Sequence, residues 1–138
     1  MEIELYEIIK KGLQDYIKSL NLSKSLNPSV VGFEPSTPTY PLVIIDEVNN
    51  VPYQNMRSFR QTVSDKSYRV DIYAETKGSI SKQEIARKIM KYCDDYLTHI
   101  GLKQLSMNIF ANDGTNGKLY HIVLMYSARY FENKQYFV

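Results

Sequence analysis

The stretch Ile80–Gly101, ISKQEIARKIMKYCDDYLTHIG, decides how the rest of the chain is read. Ser81 and Glu84 form an S-x-x-E pair, the signature of a capped helix start. Ile80 before the cap and Ile85 after it occupy the positions of a hydrophobic staple. Ile85, Ile89, Tyr92, Cys93, Tyr96, Leu97 and Ile100 recur at helical spacing and give one apolar face. Gly101 stands where a helix calls for a left-handed residue at its end. This predicts an amphipathic helix, entered by one strand-like run and left by two more.

Upstream, Tyr68–Thr76 (YRVDIYAET) alternates. Val70, Ile72 and Ala74 share one face, and Arg69, Asp71, Tyr73 and Glu75 the other, the pattern of a half-buried strand. Lys77, Gly78 and Ser79 turn from it into the helix. Downstream, Leu105, Met107 and Ile109 keep register in the run 102–111, and Asn112–Gly117 is rich in residues that tolerate positive φ, as in a hairpin loop. Lys118–Phe131 is a long strand with apolar residues on both faces, which predicts a central position.

Farther out, Glu2–Leu20 carries Ile3, Leu5, Ile8, Ile9, Leu13, Tyr16, Ile17 and Leu20 at helical spacing. Gly12 inside it suggests close approach to the sheet. Pro28, Pro35, Pro38 and Pro41 exclude a regular helix over 21–41, with a short strand expected at Val30–Phe33. Leu42–Val48 (LVIIDEV) is a β-rich strand, with Asn49, Asn50 and Pro52 expected to end it. The segment 51–66 is too sparsely apolar for a core helix. It reads as a functional segment that orders against a neighbour, or as a long hairpin arm. The expected architecture is α+β in one domain, residues 1–138. Two helices pack on one face of an antiparallel or mixed sheet of about four strands, in the order α-β-β-α-β-β. The opposite sheet face, with Tyr73 and His121, is left to water or a partner.

The totals narrow function. The 138 residues include 43% hydrophobic and 23% charged side chains, a globular composition with net charge +2. That charge argues against a duplex-binding surface. The lone cysteine, Cys93, lies on the apolar helix face and reads as a small buried side chain. No run approaches the roughly 18 apolar residues of a membrane span. Met1–Ile9 alternates acidic and apolar residues, unlike a signal peptide. His99, His121 and the scattered carboxylates have no metal-ligand spacing. Asp94-Asp95 and Asp46-Glu47 each diverge, being neighbours on a helix and on a strand. No nucleophile motif or phosphate loop is present. Neither an enzyme nor a cofactor is expected. The 12 tyrosines, against 5 Phe and no Trp, suit half-wet contact surfaces. Arg57, Arg60, Lys66 and Arg69 interleave with Tyr53, Phe59 and Tyr68, a pattern that can track single-stranded nucleic acid.

The element order, with the phrases P-L-V-I-I-D-E (Pro41–Glu47), Y-R-V-D-I-Y-A (Tyr68–Ala74), S-K-Q-E-I-A (Ser81–Ala86) and H-I-V-L-M-Y-S-A-R-Y (His121–Tyr130), resembles the tail terminator, or tail-completion, proteins of long-tailed bacteriophages and prophages. The resemblance covers most of the chain and implies a structural virion protein at the head-proximal end of the tail, made in the host bacterial cytoplasm. It implies a homo-oligomer, usually a hexameric ring. Such a ring caps the tail tube protein, stops its polymerisation and meets the head connector or head-closure protein. DNA passes through without sequence readout, and no membrane is involved. A head-closure or adaptor protein is the alternative, and a single-stranded nucleic acid binder a more distant one. The contact residues expected are Tyr53, Met56, Arg57, Phe59, Arg60, Tyr73, Tyr136 and Phe137.

Overall fold

A computed structural model of the chain describes the backbone of residues 2–52, 63–131 and 136–137, with side chains over 6–48 and 67–128. The elements run α1 (Glu2–Ser19), β1 (Ser29–Val31), β2 (Leu42–Pro52), β3 (Val63–Ala74), α2 (Lys82–His99), β4 (Lys103–Asp113), β5 (Leu119–Phe131) and β6 (Tyr136–Phe137). The fold is α+β, with two helices and a mixed sheet in the order β1-β2-β3-β5-β4. β1 pairs parallel with β2, and the other pairings are antiparallel. The path therefore has five strands where about four were expected, with β1 overlapping the short stretch named at Val30–Phe33, and the order is α-β-β-β-α-β-β-β where α-β-β-α-β-β was expected. β6 pairs with Tyr130 and Phe131 at the far end of β5.

α2 forms as its sequence dictates. The Ser81 side chain accepts the Glu84 N–H at 3.2 Å, while the Glu84 carboxylate pairs with Lys88. At the other end Leu102 N–H reaches Leu97 O at 3.0 Å and Gly101 N–H reaches Thr98 O at 3.1 Å, with Gly101 at φ 109°. That is the double bond of a Schellman closure, and the apolar pair Leu97 and Leu102 is buried behind it.

β2 does not stop at Asn49. The ladder passes through a bulge between Glu47 and Asn49 and continues until Pro52 faces Ser64. Paired partners across the bulge keep the chain extended in spite of Pro52, so β2 and β3 form the long hairpin arm. Residues 53–62 lie outside the described part.

Three rows on the helix side of the sheet supply Val43, Ile45, Tyr68, Val70, Ile72, Ile122, Leu124 and Tyr126 to the core. The rows are Val43–Ile72–Ile122–Ile109, Ile45–Val70–Leu124–Met107 and Glu47–Tyr68–Tyr126–Gln104, each read from β2 to β4. Ile9, Leu13 and Ile17 of α1 and Ile85, Ile89, Cys93 and Leu97 of α2 close over them. Gly12 serves the contact between helices rather than the sheet. A Cβ there would collide with the hydroxyl of Tyr96, whose ring stacks on Tyr16 at 5.3 Å. Cys93 is fully buried, and burial pushes its thiol up to about 12, as befits a packing side chain.

Candidate functional site

Two features stand out from the core, one on each side of the sheet. The first is a polar cluster on the face without helices. Leu42, Tyr73, His121 and Phe110 form one row across β2, β3, β5 and β4, and Ile44, Asp71, Val123 and Asn108 form the next. His121 reaches the Asp71 carboxylate through Nε2 at 2.8 Å and the Asp113 carboxylate through Nδ1 at 2.8 Å. Both ring nitrogens are thus engaged by carboxylate oxygens. Arg69 adds Nε and Nη2 bonds to Asp71 at 2.9–3.2 Å. Tyr73 stacks on the imidazole at 4.1 Å and Phe110 tilts against it at 5.4 Å.

Burial works against the charge on Asp71, but the bonds from His121 and Arg69 outweigh it and hold the carboxyl below its ordinary 3.8. Burial, with Asp71, Asp113 and Glu34 nearby, pushes the Tyr73 hydroxyl up to about 12. Asp71 and Asp113 each stand at one ring nitrogen, so the cluster ties β3, β5 and the end of β4 together. Among the described residues, no group of His, Cys, Asp or Glu converges as a metal site.

Beside the cluster, Glu34, Pro38, Tyr40, Leu42, Tyr73, Asp113 and Leu119 line a cavity of about 290 Å³ at the end of the sheet remote from Pro52.

The second feature is β4 itself. It is an edge strand, opposite β1, and is exposed along nearly its whole length. Met107 and Ile109 lie on the helix side, in rows whose β2, β3 and β5 members are fully buried, yet they are 44% and 41% exposed. Leu105, in a bulge, is 56% exposed, and Phe110 on the opposite face 52%. The helix cover thins towards this edge: α1 reaches β1 and β2, and α2 lies mainly over β3 and β5, with a smaller contact on β4.

Of the expected contact residues, Tyr73 is on the face predicted for it, but half-buried and engaged with His121. Tyr53, Met56, Arg57, Phe59 and Arg60 lie outside the described residues. Tyr136 and Phe137 form β6, so the terminal segment joins the chain's own sheet. The nucleic-acid pattern loses two members: Tyr68 is fully buried on the helix side, and Arg69 is held by Asp71. Asp94 accepts the Tyr126 hydroxyl at 2.6 Å while Asp95 pairs with Lys91, so the two diverge as neighbours on a helix must.

The sequence reading missed Asp71 and Asp113 as partners of His121, and the exposure of β4. Strand parity puts Asp71 on one face with Tyr73, and His121 on the same side of the sheet, but it does not give the register that brings them together. Asp113, in the hairpin loop, carried no such signal. No family model matches the chain, and no curated protein matches it.

Proposed function

We propose that this chain is a structural subunit that works by assembling with copies of itself into a ring at the end of a tail tube, in the manner of phage tail terminators. The observation that supports this most is β4, a sheet edge whose Leu105, Met107 and Ile109 are left about half exposed beside a closed core. Edge strands of self-contained proteins are usually short, charged or covered. This one is 11 residues long, and its only charges are Lys103 and Asp113 at its two ends. Exposed apolar surface of this kind marks a place where another chain sits. Head-to-tail contacts of one kind close into a ring when the rotation between copies divides a full turn. The long β2–β3 arm offers a second grip on a neighbour.

The test is the solution mass of the full-length chain, alone and with purified tail tubes. A single closed oligomer, or one that appears on tube ends and blocks their growth, supports the reading. A chain that stays monomeric and ignores tube ends overturns it. Binding to a head connector but not to tubes would move the assignment to a head-closure protein.

A further inference from the structure

The cavity at the far end of the sheet face without helices has a definite chemical character. Tyr40, Tyr73, Leu42, Leu119 and Pro38 make its walls, and the carboxylates of Glu34 and Asp113 stand at it. Glu34 is exposed, and burial first, with Glu34 adding to it, raises the hydroxyl pKa of both Tyr40 and Tyr73. Aromatic walls with nearby carboxylates suit a flat, weakly hydrated cation, and a guanidinium can stack on tyrosine while pairing with a carboxylate.

The chain carries a segment of matching chemistry at the opposite end of the same sheet. Residues 53–62, YQNMRSFRQT, contain Arg57 and Arg60 and no acid. The residues that flank them are Pro52 of β2 and Val63 of β3, and the ladder pairs Pro52 with Ser64. The cavity is at the other end, where Leu42 pairs with Tyr73. Along the 11-residue β2 these ends are about 33 Å apart at the usual strand rise. Ten residues tethered at both ends cannot reach beyond about 20 Å from them. The segment therefore falls short of its own cavity, even with an arginine at its tip.

We infer that the 53–62 segment of one copy docks, through Arg57 and Arg60, into the Glu34–Tyr40–Tyr73–Asp113 cavity of the next. Donor and acceptor sit at opposite ends of one subunit, so the contact is head-to-tail, the kind that closes into rings. The inference rests on the proposed ring and names the contact that would set its direction.

The experiment has two readouts. In the first, a synthetic peptide of residues 53–62 is titrated into dilute full-length protein and followed by amide chemical shifts. Shifts centred on Tyr40, Tyr73 and Gly114, weakened by salt and absent in Glu34→Arg, are expected. In the second, the oligomer mass is compared across Glu34→Arg, the double variant Arg57→Glu/Arg60→Glu, and the chain carrying all three changes. Either reversal alone is expected to lower association at least tenfold, and the combination to restore it. If the oligomer forms equally well in all variants, the inference falls while the ring reading stands. If the peptide binds but the chain never associates, the ring reading falls while the cavity's ligand is as stated. A scrambled peptide with two arginines binding equally well would show a general cation site and overturn the commitment to a second copy.

Discussion

β4 and β5 are neighbours in one sheet, hydrogen-bonded over most of their length, and their burial is opposite. On the helix side Ile122 and Leu124 of β5 are fully buried, and Ile109 and Met107 directly across from them are nearly half open. Residue type does not separate the two strands. Their place relative to two helices does. A β-strand alternates its side chains regardless of what lies above it, so an apolar alternation says which face is dry only after the covering layer is known. The dry strand holds the fold together, and the wet one is where the molecule has surface to offer.

The largest effect should come from the buried side of this comparison. Ile122→Ala is expected to cost roughly 2–5 kcal/mol in denaturant unfolding, through lost burial and the cavity left behind. Ile109→Ala in the same row should cost well under half as much in the isolated chain, because part of that side chain already meets water. Equal losses would mean that β4 is covered in solution.

Next comes the contact that brings α1 onto α2. Gly12→Ala should destabilise by about 1–3 kcal/mol, since the new methyl group meets the Tyr96 hydroxyl. Adding Tyr96→Phe should recover part of that loss in thermal unfolding. No recovery would place the strain elsewhere.

The polar face gives a pH signature. The carboxyl of Asp71 is held below 3.8 in the folded chain, so the stability it contributes is fully present above that value and is lost as pH falls below it. Asp71→Asn should therefore lower stability at neutral pH and flatten its decline in acid. An acid limb unchanged in slope would show that the His121 and Arg69 bonds do not form in solution. A smaller effect, about 1 kcal/mol, is expected for Ser81→Ala, which removes the cap of α2 without touching the core.

The comparison also explains what could be read from the residues. α2 was legible to its last turn because cap, staple, apolar face and closing glycine are local signals. β5 was legible as central because it is apolar on both faces. β4 shows in the sequence only as Leu105, Met107 and Ile109 in register, which carries no trace of how little helix covers them. β2 read as ending at Asn49, since asparagine and proline signal turns, and only pairing with β3 carries it onward. The His121 cluster joins residues 50 apart and 8 apart in the chain, and nothing in either interval marks the pairing.

The most direct measurement of the central claim is the mass of the full-length chain, with and without tail tubes, beside a Met107→Glu/Ile109→Glu variant of unchanged melting temperature. The wild type should move from subunit to one closed assembly, and the variant should remain a folded subunit under the same conditions. A variant that assembles as the wild type does would contradict the role given to β4.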